Sequence, residues 1–199
     1  MKKKIIQTIA NIIRLIRGEV STSFLIKRGL KVGKNFSRQG GVRIDTSYCF
    51  LIEIGDNVIL APNVTILSHD ASLKNVLGVS QIGRVSIGNN VFVGAGSIIL
   101  QNVNIGDNVI IGAGSIVSKD IPSNSVAAGN PAKIICSIEE FKKRKNKIIK
   151  KRPMYDRSYE PININKSSRT KMNKELLNGV GFFECDNFKA KEKDRHYGK

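Results

Sequence analysis

The sequence predicts an all-β core in which short parallel strands wind round three faces of a prism, a parallel β-helix. Within residues 85–122 an aliphatic residue returns at every sixth position. These residues are Ile87, Val93, Ile99, Ile105, Ile111 and Val117. A small or β-branched companion follows most of them four positions later, namely Val91, Ser97, Val103, Val109 and Ser115. One position before each companion stands Asn or Gly, the residues that tolerate the positive φ of a tight turn.

The period of six excludes the common regular elements. An α-helix repeats every 3.6 residues and an isolated strand every two. A short strand followed by a turn fits a period of six, with one aliphatic residue pointing inward from each unit. Three units close a triangular coil, and coils stack in parallel at roughly 4.8 Å. Ordinary hairpins with chance spacing are disfavoured, because the aliphatic, glycine and turn positions all keep the same phase.

Residues 1–30 form the N-terminal region, in which residues 2–17 are predicted to be an amphipathic helix. Ile5, Ile9, Ile12 and Ile16 share one face of that helix, and lysines precede them. Two interpretations stay open. The helix could lie on an anionic membrane surface. It could instead cover the open end of the prism or pack on a neighbouring subunit, because an open sheet edge needs covering.

Residues 31–136 form the predicted β-helix domain. Weak hexads begin at Val32, with Phe36, Val42 and Tyr48 at companion positions, and a slip of four residues occurs near residues 49–53. Strong hexads resume at Ile54. A loop over residues 67–86 must leave the prism, because the 21 residues from Ile66 to Ile87 are not a multiple of six.

Residues 137–199 form a basic extension and tail. A helix is predicted over 137–152, where eight of the eleven residues 142–152 are Lys or Arg. This helix could be simply solvated, or it could bind phosphate or acidic lipid headgroups. A short helix is predicted over 166–178, stopped at Gly179, and the residues from Cys185 onward are predicted to be disordered.

Composition limits the function classes. The formal net charge is +17, from 33 Lys and Arg against 16 Asp and Glu, which favours anionic partners. Sparse aromatic residues and the lack of a reading module argue against nucleic acid. The three cysteines have no metal-ligand spacing and indicate a reducing compartment. The apolar stretch 5–16 is interrupted and too short to span a bilayer, so we expect a cytoplasmic protein, either free or peripheral at the inner face of the membrane.

Three motifs together carry a resemblance to a known family: SHDAS at 68–72, GAGS at 94–97 and 112–115, and AAGNPAK at 127–133. The chain resembles the hexapeptide-repeat acyltransferases, nearest to bacterial enzymes that O-acetylate capsule, colanic-acid-like or lipopolysaccharide sugars. The resemblance implies a left-handed parallel β-helix with an N-terminal helix and a C-terminal helical extension. It also implies acetyl-CoA as acyl donor, a homotrimer with active sites between subunits, and a sugar or lipid-linked glycan acceptor.

The loop histidine is the predicted general base. A sugar hydroxyl needs a base as it attacks a thioester, and a neutral imidazole suits this because its usual pKa lies near 6.5. His69 matches the family's catalytic histidine, and the other histidine, His196, lies in the tail. The partner that orients His69 stays open among Asp70, Asp45 and Glu53.

The resemblance also implies the donor site. The backbone N–H of Ala95 would face the thioester oxygen. Contacts to coenzyme A would come from Ala95, Ala113, Ser118, Lys119 and Lys133. No metal is expected, since the zinc hydratases of this fold use three histidines and this chain has two. The alternatives are N-acetylation of a nucleotide-linked amino sugar, serine O-acetylation and a non-catalytic β-helix scaffold.

Overall fold

The computed structural model describes residues 19–185. The helix predicted over residues 2–17 and most of the predicted tail lie outside the described residues. The chain divides into two compact units after Ile138.

The first unit is a coil of short strands on three sheet faces. The first face contains β1 (Lys31–Val32), β4 (Ile52–Ile54), β9 (Val85–Ile87) and β12 (Val103–Ile105). The second contains β2 (Ser37–Arg38), β5 (Ile59–Leu60), β10 (Phe92–Val93), β13 (Ile110–Ile111) and β15 (Ser125–Gly129). The third contains β3 (Arg43–Ile44), β6 (Thr65–Ile66), β11 (Ile98–Ile99) and β14 (Ile116–Val117). These neighbours pair in parallel, and β16 (Ala132–Ser137) returns antiparallel to β15.

The hexads form the core, as the sequence predicts. The six aliphatic residues from Ile87 to Val117 are at most 2% exposed, and their companions are equally buried. The buried companions Ser97 and Ser115 both donate to the carbonyl of Gly112, at 2.9 and 2.6 Å. The small residues of the two GAGS motifs therefore close the coil without leaving a buried hydroxyl unpaired.

The turns adopt the conformation predicted for them. Positive φ is found at Asn90, Gly96, Asn102, Asn108 and Gly114. At the corner between the first and second faces, asparagine amides donate to each other from coil to coil over 2.9–3.2 Å. This asparagine ladder comprises Asn35, Asn57, Asn90, Asn108 and Asn124.

Coil length varies in a way that shapes the corner between the third and first faces. Taken in order along the prism, hydrogen-bonded residues on neighbouring coils are 22, 33, 18 and 16 positions apart in the sequence. A coil of 18 residues is the regular unit, so the first two spacings contain insertions. The first is a 3₁₀ turn at Cys49–Leu51. The second holds β7 (His69–Asp70), α2 (Lys74–Leu77) and β8 (Gln81–Ile82), with β7 antiparallel to β8.

A short helix, α1 (Thr22–Lys27), precedes the first coil. The Ser21 hydroxyl accepts from Phe24 N at 3.1 Å and caps its N-terminus. Gly29 ends it with a φ of +100°. The buried thiol of Cys49 lies 3.4 Å from the Arg28 carbonyl, which ties the 3₁₀ turn to this helix.

The second unit is small and helical. The predicted basic helix is observed as α3 (Ile138–Ile149), and the predicted short helix as α4 (Lys166–Glu175). Between and after them lie β17 (Met154–Tyr155), a 3₁₀ turn at Arg157–Tyr159, and β18 (Phe182–Phe183), which pairs in parallel with β17. Tyr155 is buried and donates to Glu175 at 3.0 Å. Among the described residues, no helix is long and apolar enough to cross a membrane.

Candidate active site

Three polar residues meet where the third face ends. Asp45 directly follows β3, and Ser68 and His69 follow β6 after Leu67. Because β3 and β6 pair with Ile44 opposite Ile66, the residues that leave these strands emerge side by side. Parallel pairing therefore brings Asp45 to His69 although 24 positions separate them.

The carboxylate of Asp45 is held by several donors. Its side chain is only 1% exposed. It accepts from the Ser68 hydroxyl at 2.8 Å, from Ser68 N at 3.1 Å and from Ser47 N at 2.9 Å. The ring Nδ1 of His69 also contacts this carboxylate.

Burial and hydrogen bonding act in opposite directions on Asp45. Burial alone raises the pKa of the Asp45 carboxyl, but hydrogen bonds from His69, Ser68 and Ser47 outweigh it and hold the pKa below its usual value of 3.8. The group is therefore a carboxylate at neutral pH.

An ionised carboxylate can only accept hydrogen bonds, so Nδ1 of His69 must carry the proton in this contact. The lone pair of the neutral ring then lies on Nε2. The side chain of His69 is 36% exposed, and the Tyr48 ring lies beside it with centroids 5.6 Å apart. This arrangement can accept a proton at a partly open surface, which is what a general base requires.

The other two candidate partners do not contact His69. Asp70 accepts from Ser72 N at 2.8 Å within its own loop. Glu53 points outward from the first face and pairs with Lys31 at 2.6 Å. The hydrogen bond and charge of Lys31 lower the pKa of the Glu53 carboxyl.

The candidate donor-binding residues lie at three places. Ala95 and Ala113 stand exposed on consecutive coils at the corner between the second and third faces, away from the corner that holds His69. Within the described residues neither amide N–H donates a hydrogen bond. A Cβ on Gly94 would collide with Ala113 N, so this corner requires the glycine. Ser118 and Lys119 are exposed where β14 ends, and Lys133 is exposed on β16.

Tyr48 differs from the prediction. The sequence places it at an inward companion position, but Ile52 is the buried residue that pairs with Val85 on the next coil. The four inserted residues move that inward position from 48 to 52, and Tyr48 lies at the corner beside His69. Phe50, to which the repeat assigns no position, is 53% exposed next to Tyr48. The slip in the repeat was the signal that could have found both.

In the part of the chain that the structure describes, no group of three or more His, Cys, Asp or Glu side chains could hold a metal ion. All three cysteines are free within residues 19–185.

Known proteins resemble this chain in both sequence and structure. Residues 84–119 match the family model "Bacterial transferase hexapeptide (six repeats)". Protein CapG of Staphylococcus aureus is 43% identical over 135 residues, which cover 65% of this chain and 78% of that protein. The galactoside O-acetyltransferase of Escherichia coli is 43% identical over 116 residues, covering 56% of this chain and 55% of that enzyme.

A solved structure of a galactoside acetyltransferase in complex with coenzyme A superposes with a TM-score of 0.52 and 42% identity, over 58% of each chain. The chain thus spans little more than half of this structure and of the galactoside enzyme, and about three quarters of CapG. The likeness confirms the predicted fold class, a left-handed parallel β-helix.

Proposed function

Since the chain belongs to the hexapeptide-repeat acyltransferases, we propose that it transfers an acetyl group from acetyl-CoA to a sugar hydroxyl of a bacterial surface polysaccharide or its precursor. The observation that carries the proposal is the pairing of His69 with the buried carboxylate of Asp45. The carboxylate fixes the tautomer of a histidine whose side chain is 36% exposed, an arrangement that suits a general base.

The proposed reaction begins at Nε2 of His69. This nitrogen takes the proton of the acceptor hydroxyl as the oxygen attacks the thioester carbonyl carbon. The positive imidazolium is stabilised by the Asp45 carboxylate beside it. When the C–O bond has formed and the C–S bond breaks, the proton passes from His69 to the thiolate of coenzyme A. The products are the acetyl ester and the free thiol.

The donor-binding role proposed for the small-residue corner rests on its shape and on its free donors. Ala95 and Ala113 are exposed and small, so a ligand can approach the backbone closely. Their N–H groups donate no hydrogen bond within the described part of the chain, and Ala95 N–H is the proposed oxyanion donor. Exposed Lys119 and Lys133 supply positive charge for phosphate groups.

A homotrimer is proposed because the outward residues differ between faces. The first face presents Lys31, Glu53, Ser86 and Asn104, all exposed and polar or charged. The second presents Ile59, Phe92 and Ile110, and the third presents Ile98 and Ile116. Two partly apolar faces per chain suit a ring of three copies. Such a ring would bring His69 of one copy to the Ala95 corner of another.

Light scattering coupled to size-exclusion chromatography tests the ring. The wild type should have three times the chain mass of 21.9 kDa, and Phe92→Lys should lower it. Asn104→Lys on the polar face is the matched control and should keep the wild-type mass. A monomeric wild type would overturn the trimer.

The acceptor class is supported by the name of one relative, the galactoside O-acetyltransferase. Screening with labelled acetyl-CoA tests it directly. Methyl glucoside and glucosamine form a matched pair, since glucosamine carries an amine at a ring position where the glucoside carries a hydroxyl. Faster labelling of the glucoside and of glycan precursors would support O-acetylation. Preferential labelling of the amine would favour the N-acetyltransferase, and no transfer to any acceptor would favour the scaffold.

A peripheral membrane contact is the final part of the proposal, and it rests on α3. Lys142, Lys143 and Lys147 are exposed along this helix, and Lys151 and Arg152 follow it. Each cation near an anionic surface contributes about 1 kcal/mol, screened over roughly 8 Å at physiological salt. Such a contact would place the enzyme at the inner membrane face beside lipid-linked glycans.

Vesicle co-sedimentation tests the contact. The protein should bind phosphatidylglycerol vesicles but not phosphatidylcholine vesicles, and less as salt rises. Replacing Lys142, Lys143 and Lys147 by Gln should weaken binding. Replacing Lys27, Lys34 and Lys74 by Gln removes the same charge from the first unit and should matter little. Equal binding to both lipids would overturn this part alone.

A further inference from the structure

The partly buried ring of Tyr48 adjoins the proposed base, and the exposed ring of Phe50 lies beside Tyr48. The rings of Tyr48 and His69 are 5.6 Å apart between centroids and tilted by 58°. The ring of Phe50 lies edge-on to Tyr48 at 6.1 Å. Phe50 is 53% exposed.

This aromatic pair, Tyr48 and Phe50, is held in place from behind. Between them Cys49 is buried, with its thiol 3.4 Å from the carbonyl of Arg28. Gly29 has a φ of +100°, and a Cβ there would lie 2.7 Å from Cβ of Phe50. The turn that presents the rings thus packs closely on the end of α1, and that contact requires glycine at position 29.

We infer that Tyr48 and Phe50 form a stacking platform for the sugar ring of the acceptor. The inference rests on the proposed function, because it concerns the acceptor at the same base. A pyranose has a flat face of C–H groups and a rim of hydroxyls. An aromatic ring offers a rigid apolar surface for such a face. Because the rings of Tyr48 and His69 are neighbours, a sugar whose hydroxyl met Nε2 of His69 would lie against the Tyr48 ring, and a second linked sugar would reach Phe50.

The platform predicts a preference for cyclic acceptors. Methyl β-galactoside has a ring face, whereas galactitol carries similar hydroxyls on an open chain. We expect the wild type to prefer the galactoside. In Tyr48→Leu and Phe50→Leu the KM for the galactoside should rise by about 3- to 10-fold, the usual worth of an aromatic contact. The KM for acetyl-CoA should change by less than about twofold, because its proposed contacts lie elsewhere.

Ring-retaining variants separate stacking from folding. Tyr48→Phe and Phe50→Tyr should keep the wild-type KM for the galactoside, whereas this KM should rise in the two leucine variants. Phe24→Leu, at a comparably exposed phenylalanine of α1, should have no effect. Saturation-transfer NMR with methyl β-galactoside should show contact at the C–H protons of one ring face, lost in the leucine variants.

The outcomes distinguish the platform from the proposed function. If the wild type acetylates the galactoside and the leucine variants keep its KM and its NMR contacts, the platform is overturned and the function stands. If the wild type binds the ring face without transferring acetyl, the platform stands and the function fails. If Phe50→Leu instead lowers the oligomer mass, Phe50 is an interface residue and the platform is overturned.

Discussion

At the scale of residues, Asp45 and His69 are in contact, and we propose that they act as one unit. Asp45→Asn keeps the size of the side chain but removes its charge and its strict acceptor character. We expect kcat to fall by about 10²-fold or more, because the imidazolium loses its counter-charge and Nδ1–H its fixed partner. Acetyl-CoA-dependent thiol release with a sugar acceptor measures this. Glu53→Gln, at the exposed carboxyl paired with Lys31, is the matched control and should retain full activity.

If both variants were equally active, the pairing of Asp45 with His69 would be structural only. If Glu53→Gln were the slower one, a neighbouring copy would have to bring Glu53 to the base.

The depressed pKa of Asp45 predicts a dependence of stability on pH. Hydrogen bonds hold its folded-state pKa below the usual 3.8. The stabilisation is therefore fully present above the unfolded-state pKa and is lost as pH falls through the folded-state pKa. The difference in unfolding free energy between wild type and Asp45→Asn should be constant above about pH 5 and shrink below about pH 4. Denaturant titrations at one protein concentration measure it, and a difference that grew in acid would contradict the assignment.

At the scale of elements, inward and outward positions alternate within a single strand. Ile105 on β12 is fully buried, while its neighbour Asn104 is exposed. Ile105→Asp should prevent folding, because it buries a charge without a partner. Asn104→Asp introduces the same charge one residue away and should fold normally. Circular dichroism and soluble yield distinguish them, and a folded Ile105→Asp protein would contradict the β-helix.

The asparagine ladder makes a second prediction at this scale. Asn90 has a φ of 56°, and its side-chain amide donates to Asn108 at 3.2 Å and accepts from Asn57 at 2.9 Å. Asn90→Ala loses both hydrogen bonds and strains the turn, so we expect about 1–2 kcal/mol of destabilisation. Asn90→Gly loses both bonds but keeps a permitted conformation, and should be the more stable of the two. Equal stability of the two variants would mean that asparagine is required at this position for its hydrogen bonds and not for its backbone conformation.

The repeat made most of the coil predictable. Inward aliphatic residues, companions and positive-φ turns follow directly from a period of six, because each depends only on neighbours in sequence. The four-residue slip was visible in the sequence, but its effect on which residue points inward was not. Only pairing between coils shows that Ile52 replaces Tyr48 inside and that Tyr48 adjoins His69.

The sequence predicts which histidine is the candidate base, a role that stays a prediction, but it does not predict which carboxyl contacts that histidine. His69 stood out as the histidine of the interrupted repeat. Three carboxyls were equally good partners in the sequence, since their distances from His69 depend on which strands lie side by side. The pairing of Ile44 with Ile66 brings Asp45 to His69, whereas Glu53 is directed outward on another face.

At the scale of the whole molecule, each corner of the first unit carries a different set of residues. One corner carries the asparagine ladder, the next carries the small residues proposed for the donor, and the third carries both insertions with His69 and the aromatic pair. Since the donor and base corners are separate within one chain, the proposed reaction depends on assembly of copies. Dilution below the assembly threshold should therefore reduce specific activity.

The most direct test of the central claim compares the wild type with His69→Ala in acetyl transfer to a sugar, followed by mass spectrometry of the ester. The account predicts that kcat falls by about 10²–10⁴-fold, while oligomer mass and coenzyme A affinity stay close to those of the wild type. Undiminished transfer by a correctly assembled His69→Ala protein would contradict the account.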